Sequence, residues 1–261
     1  MISAVCVYNN EKILNDYLLK SLKNQTVDYE IIALDNTQRK YKSAAEALNY
    51  GGRKAKGDYI MFVHQDIILG SDLWIEKAEK ILDKLPNFGI AGVAGRCENT
   101  EGIITNIENG VPKRAAGEIH IKKPIKVQTV DECLIIIPKS VFSILQFDEK
   151  ICNDWHLYAI DYSLSIRRLE YNVYVMPMYV YHLSTGFKPI GKLERILRGP
   201  LQRGYYLSLK KVLNKHKNYY EKIYTTCGIY RTAYPLFLQR GQSMIKNRFK
   251  LLLKKIMVKK V

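Results

Sequence analysis

The sequence predicts an α/β protein: a mainly parallel sheet with helices on both faces, followed by a basic, mostly helical C-terminal extension. Three observations carry this. Strand-like and helix-like patterns alternate as β-α-β-α-β over the first sixty or so residues. The run Tyr59-Ile60-Met61-Phe62-Val63 is short, nearly continuous in apolarity and rich in aromatic and β-branched residues, the pattern of a strand buried on both faces. Charge then divides the chain. Up to Gly191 it carries 23 Lys+Arg against 23 Asp+Glu, and from Lys192 onward 18 against 2, so the tail holds the whole net charge of +16.

The elements follow in order. Ile2 to Tyr8 reads as a first strand, broken by Asn9-Asn10. Glu11 to Leu22 repeats Ile13, Leu14, Tyr17, Leu18 and Leu22 at helical spacing. Glu30 to Leu34 is a second strand ending at Asp35-Asn36, and Ser43 caps a helix to Ala55. Gly57 turns the chain into the third strand, which stops at His64-Gln65-Asp66. A helix over Ser71–Leu85 and a strand over Phe88–Ala94 come next. Arg96 to Lys126 is polar, glycine-rich and alternating, an excursion of hairpins or loop. Val127 to Ile137 is a strand, and Pro138-Lys139 starts a short helix. Asn153 or Asp154 caps a helix to about Glu170, and Val173 to Val180 is a further strand, closed by Tyr181-His182. The boundary near residue 190 gives a unit over 1–190 and an extension over 191–261.

Composition narrows the class. Hydrophobic residues at 47% argue against disorder over most of the length. Five cysteines, odd in number and without a CxxC pair, read as reduced thiols of a cytosolic protein. The N-terminus enters a strand directly, and no apolar run approaches the length of a membrane span. The expectation is a cytoplasmic protein. No G-x-x-x-x-G-K-[ST] and no G-x-G-x-x-G occurs, so P-loop and dinucleotide readings lack their fingerprints.

Right-handed crossovers deliver the polar strand ends Asn9, Asp35-Asn36 and Gln65-Asp66 to one edge of the sheet, where ligands of such sheets bind. A single carboxylate there, Asp66, can hold a divalent metal against a phosphate. Transfer from a nucleoside-diphosphate sugar requires that arrangement, with a further carboxylate to take the proton of the acceptor hydroxyl.

The segments IIALDN (Ile31–Asn36), ALNYGGRKAKGDYIMFVHQDI (Ala47–Ile67), VDECLIIIPK (Val130–Lys139), FDE (Phe147–Glu149), WHLYAIDYSLSIRRLEYNVYV (Trp155–Val175) and YHLSTG (Tyr181–Gly186), in that order and spacing, resemble the GT-A-fold glycosyltransferases of the large family-2 kind. The closest likeness is to the branch whose metal motif reads His-Gln-Asp. The resemblance spans residues 2 to about 186. It implies a metal-dependent hexosyltransferase that inverts the anomeric carbon, with a nucleoside-diphosphate sugar, most commonly of uridine, as donor. The acceptor would be a hydroxyl of a glycan or lipid-linked glycan, as in polysaccharide biosynthesis. Asp35 and Asn36 would contact the nucleoside, with Val7, Tyr8 and Asn9 beside the base. Asn49 and Lys54 would line the nucleotide pocket, and Gln65 would reach the ribose or diphosphate. Asp66 would bind Mn²⁺ or Mg²⁺, with His182 completing the metal or diphosphate site. Trp155 is a candidate acceptor platform, its alternative being a core tryptophan.

One position departs from the pattern. Where such enzymes carry the aspartate that serves as base, this chain has Ala159. Asp161, Asp154 and His156 are the neighbours able to replace it, with Asp161 favoured and a structural partnership with Arg167 or Arg168 as its alternative. A nucleotide-sugar-binding protein without transfer activity is the competing function.

The tail mixes cations with apolar residues. In its last stretch Ile245, Phe249, Leu252, Leu253 and Ile256 share one helical face among Lys246, Arg248, Lys250, Lys254 and Lys255. Such a helix suits docking of 192–261 on an anionic membrane surface, peripheral on the cytoplasmic face; packing on the catalytic unit is the alternative. No nucleic-acid-binding motif accompanies the cations, so nucleic acid is not an expected partner, and a nucleic-acid-associated tail is a third reading.

Overall fold

The structure is a computed structural model, and it describes residues 1–98, 100–184, 203–236 and 238–239. Strand β1 (Ile2–Tyr8) leads into α1, which joins Glu11–Leu14, a π-helical turn over Asn15–Leu19 and Lys20–Leu22. Then come β2 (Tyr29–Asp35), α2 (Ala44–Lys54), β3 (Tyr59–Val63), β4 (Ile67–Leu69), α3 (Trp74–Leu82), β5 (Phe88–Gly92) and β6 (Ala94–Arg96). Four two-residue strands, β7 (Ile104–Thr105), β8 (Glu108–Asn109), β9 (Arg114–Ala115) and β10 (Ile125–Lys126), make up the polar excursion. The chain continues through β11 (Thr129–Val130), β12 (Leu134–Pro138), α4 (Lys139–Ile144), α5 (Tyr158–Arg167), β13 (Asn172–Val175) and β14 (Val180–His182). The described part of the extension holds α6 (Arg203–His216) and a hairpin of β15 (Lys222–Thr225) and β16 (Gly228–Arg231).

The main sheet has seven strands in the order β10-β13-β5-β12-β3-β1-β2. β2, β1 and β3 are parallel, with Tyr8 opposite Asp35 and Val5 opposite Phe62, so their polar ends meet at one rim as the sequence predicts. β12 is the exception. It runs antiparallel between β3 and β5, Leu134 opposite Val63, and its beginning rather than its end lies on that rim.

Side-chain alternation divides the core between the two faces. Val5, Ile60, Phe62 and Ile135 pack with α2, α4 and α5, while Ala4, Cys6, Met61 and Val63 pack with α1 and α3. The consecutive glycines inside α2 are a packing requirement: a Cβ at Gly51 would stand 2.4 Å from Val5 Cγ1, and one at Gly52 2.5 Å from the Phe142 ring. Ser43 caps α2 through the Glu46 N–H, as expected.

Several boundaries differ from the sequence reading. The helix expected from Asn153 or Asp154 starts at Tyr158, because Leu157 stands at φ 70° in the left-handed region and turns the chain just before it. The strand expected over Val127–Ile137 is split by Asp131-Glu132-Cys133, where Asp131 Oδ1 accepts the Cys133 N–H in a turn. The Val173–Val180 strand divides at Met176, and its second half joins a separate small sheet, β4-β14-β8-β9.

The extension is not wholly helical, and its described part packs on the preceding α/β unit. Leu157, Ile160 and Leu164 of α5 share a cluster with Tyr205, Leu209, Val212 and Leu213 of α6. Gln128 clasps the hairpin, donating to Lys222 O and accepting from Tyr224 N, each at 2.8–2.9 Å. The amphipathic stretch after Arg240 lies outside the described residues. Among the described residues no helix is long and apolar enough to cross a membrane.

Candidate active site

The site forms where the β1, β2 and β3 ends meet the small sheet. Pairing of β14 with β4 sets His182 opposite Ile67, and Leu183 N–H bonds Asp66 O at 3.0 Å, which brings two sequence-distant residues together. His182 Nε2 stands 3.3 Å from Asp66 Oδ1, and the His64 and His182 ring centroids are 5.6 Å apart. One donor atom from each of His64, Asp66 and His182 lies within 4.8 Å of the other two, so this trio can hold a metal ion. His64 belongs to the His-Gln-Asp motif, but sequence reasoning gave it no ligand role.

Electrostatics prepare the trio. Burial opposes ionisation of Asp66, but the hydrogen bond and charge of His182, with His64 behind it, win and hold its carboxyl below the ordinary value. Burial would lower His182 too, yet Asp66 raises it above the usual imidazole value. His64 is pushed down, by burial first and then by His182, so it stays a neutral imidazole with a lone pair to give. Its tautomer follows from its neighbour. Tyr158 donates its one hydroxyl proton to Glu132 O at 3.0 Å, and the same oxygen is 3.3 Å from His64 Nε2. That oxygen must therefore accept from Nε2–H, which leaves Nδ1 as the ligating nitrogen.

Beside the trio opens a cleft of about 960 Å³. Val7, Tyr8, Asn9, Asn36, Gln65, Asp66 and Trp155 line it, so the structure gathers half of the residues singled out from the sequence. Asp35 is exposed at the same rim, its carboxyl held below the ordinary value by the Thr37 N–H and hydroxyl. Trp155 is 39% exposed, more than a core tryptophan allows. Gln65 is a brace. Its Oε1 accepts the N–H groups of Asn9 and Asn10 at 3.1 and 3.0 Å, and its Nε2 donates to Asn9 Oδ1 at 2.8 Å. Gln65→Ala should cost about 1–2 kcal/mol, three hydrogen bonds partly replaced by water. Urea unfolding checks this; an unchanged midpoint would show that the brace carries no weight.

Arg39, Lys42, Thr37 and Tyr41 also line the cleft and were not anticipated. Asn36 shapes their loop, accepting Tyr41 N–H at 2.8 Å and donating back to Tyr41 O at 3.4 Å. Arg39 sits at φ 54°, an unusual conformation for a side-chain-bearing residue and one that recurs at ligand sites. The cationic run Arg39-Lys40-Tyr41-Lys42 directly after a rim aspartate was the available signal.

Other expected residues stand elsewhere. Asn49 is 2% exposed, its amide spent on Phe147 N–H, Phe147 O and Glu149; it ties α2 to that loop and does not line the cleft. Lys54 lies over the Tyr50 ring, 4.5 Å from its centroid, also away from the cleft lining. Asp154 accepts the Trp155 N–H, and its Oδ2 lies against Gly204 so closely that a Cβ there would come within 2.2 Å. His156 packs on the Tyr205 ring, and burial lowers its basicity. Asp161 corrects the favoured expectation. It is 1% exposed, with Oδ2 2.7 Å from Lys215 Nζ and Oδ1 2.8 Å from His216 Nε2. Its partners are these two residues of α6 rather than Arg167 or Arg168, and with both oxygens paired the carboxylate has none to offer a substrate.

No sequence among curated proteins matches the chain. A crystal structure of GalNAc-T7 with UDP, GalNAc and Mn²⁺ superposes with a TM-score of 0.56 at 11% identity, over 82% of this chain and 48% of that one. This chain thus spans about half the length of that protein. A mannosyltransferase from Pyrobaculum calidifontis in complex with GDP-Man and Mn²⁺ gives 0.48 at 12% identity, over 82% and 61% of the two chains. TarS (residues 1–349) of S. aureus gives 0.49 at 15% identity, over 84% and 72%. The model of the "glycosyltransferase like family" matches residues 3–188. With the GT-A sheet and the His-Asp-His trio already in view, that match over most of its length shows that the chain belongs to this glycosyltransferase family of the family-2 kind.

Proposed function

We propose that the chain transfers a sugar from a nucleoside-diphosphate sugar to a hydroxyl of a glycan or lipid-linked glycan, with Mn²⁺ and with inversion at the anomeric carbon. One observation carries this reading: the metal-competent His64–Asp66–His182 trio stands at the edge of a cleft large enough for a nucleotide sugar. The donor set suits the ion. Two imidazoles and one carboxylate favour Mn²⁺ over Mg²⁺, which prefers oxygen ligands and keeps its waters. Such an ion, once bound, neutralises the departing diphosphate. Val7, Tyr8 and Asn9, which line the cleft, with Asp35 at its rim, would meet the nucleoside, and Arg39 and Lys42 can pair with phosphate oxygens. Trp155 offers its exposed face to a sugar ring. UDP is the first donor base to test, since GalNAc-T7 was crystallised with UDP and Mn²⁺.

A nucleotide-sugar binder without transfer activity is the second reading, favoured by Ala159, which is fully buried and brings no chemistry. Melting curves with UDP, GDP, CDP and ADP, with and without Mn²⁺, test the shared premise. One diphosphate should stabilise the chain selectively and only with the ion. At a hundredfold excess over the dissociation constant the gain is about 2.7 kcal/mol. No shift with any of them would sink both readings. Release of the diphosphate from its sugars then separates enzyme from binder. For the extension beyond the described residues, docking on an anionic membrane is part of the proposal, supported by its alternation of cations and apolar residues.

A further inference from the structure

Glu132 falls in the VDECLIIIPK segment but carried no expected role. Because β12 is antiparallel, the residues just before it come to the ligand-binding rim, beside His64, whose N–H bonds Cys133 O at 2.9 Å. The Glu132 main chain already serves the site through Tyr158 and His64. Its side chain turns to the start of α5, where the N–H groups of Leu157, Tyr158 and Ala159 lie against the carboxylate. The position that lacks the family's aspartate therefore has a glutamate at its own backbone.

The other carboxylates around the trio are engaged. Asp161 is held by Lys215 and His216, and Asp66 by His182. Asp131 accepts the Thr226 hydroxyl at 2.6 Å and the Cys133 N–H at 3.1 Å. Asp154 accepts the Trp155 N–H and abuts Gly204. Glu132 Oε1, in contrast, is sealed from bulk solvent and has no hydrogen-bond partner. A buried acceptor without a donor is costly, and an incoming hydroxyl would relieve it.

We propose that Glu132 supplies the carboxylate missing at position 159 and acts as the general base of transfer. This rests on the reading above. As the acceptor oxygen bonds the anomeric carbon, its proton passes to Glu132, the bond from that carbon to the diphosphate breaks, and its electron pair leaves on the diphosphate oxygen. Burial, then the charge of Asp131, pushes the Glu132 carboxyl well above the ordinary value, against the pull of the three N–H groups.

The test uses the full chain, with release of UDP from UDP-glucose, UDP-galactose, UDP-GlcNAc and UDP-GalNAc as the readout and water as the acceptor. Glu132→Gln keeps the side-chain shape and the main-chain contact to Tyr158. It should lower release about 100-fold or more, within the range of general-base catalysis, with the UDP–Mn²⁺ melting shift retained. The pair Glu132→Gly with Ala159→Asp, which moves the carboxylate back onto α5, should recover at least tenfold over Glu132→Gln. Release by Glu132→Gln at the parental rate would overturn the assignment. So would a lowered melting point with unchanged release at a temperature well below it, the signature of a mere helix cap. A parental chain that shows the UDP–Mn²⁺ shift but releases no UDP would overturn the base. A chain that shows no Mn²⁺-dependent shift with UDP, GDP, CDP or ADP would overturn the nucleotide-sugar reading beneath it.

Discussion

Asp66→Ala is expected to abolish Mn²⁺-dependent turnover while leaving the fold in place. Asp66 is the one anionic member of the trio, and its carboxylate is partly exposed, 22% by side chain. Its loss leaves two imidazoles, a set that holds a hard divalent ion poorly. Lewis-acid stabilisation of a leaving group is worth several kcal/mol, and at about 1.4 kcal/mol per tenfold its removal lowers the rate by roughly three orders of magnitude. The fold should survive, because the link from the Leu183 N–H reaches the main-chain oxygen of Asp66 and not its side chain. Circular dichroism should therefore match the parent, with the Mn²⁺-dependent melting shift lost. Turnover that still responds to Mn²⁺ in this variant would remove the trio from the mechanism.

How much of this was legible in the sequence depends on what each residue's pattern encodes. Asp66 was readable because a doubly buried parallel strand announces itself, and its polar end has only one place to go. His182 came from resemblance alone, since nothing local in Val180-Tyr181-His182 says that it pairs with β4. The direction of β12 was hidden: Leu134-Ile135-Ile136-Ile137 is equally apolar read either way, and only pairing with β3 and β5 fixes which end meets the rim. That ambiguity concealed Glu132. The C-terminal hairpin was hidden because the basic extension reads as mostly helical; its Tyr224 and Tyr230 are 6% and 9% exposed, with Tyr230 in the cluster between α5 and α6. Asp161 looked catalytic because it stands two residues from Ala159, and the partners that engage it, Lys215 and His216, lie on α6, fifty-odd residues away.

That last contact sets the largest stability effect. Asp161→Ala should destabilise the protein by about 3–5 kcal/mol, the usual cost of removing one partner from a buried ion pair. For a chain of this size that is on the order of 10 °C in melting temperature. The carboxylate joins α5 to Lys215 and His216 of α6, and Lys215 continues to Asp148 at 3.0 Å, so one residue staples the extension to the catalytic unit. Burial disfavours the Lys215 charge, but Asp161 and Asp148 outweigh it and raise its pKa above the ordinary value. That contribution is complete below the ordinary lysine range and fades as pH rises through the higher folded value. Burial likewise opposes the Asp148 charge, and Lys215 outweighs it, so the Asp148 pKa is depressed. Its share is present above the ordinary carboxylate range and is lost as pH falls through the lower folded value. The staple should therefore hold across the neutral window and weaken at both extremes, and the melting difference between parent and variant should shrink there. Asp161→Asn, assayed well below its melting temperature, should release UDP within a few-fold of the parental rate. A hundredfold fall in release without a fall in melting temperature would return the base to Asp161 and take it from Glu132.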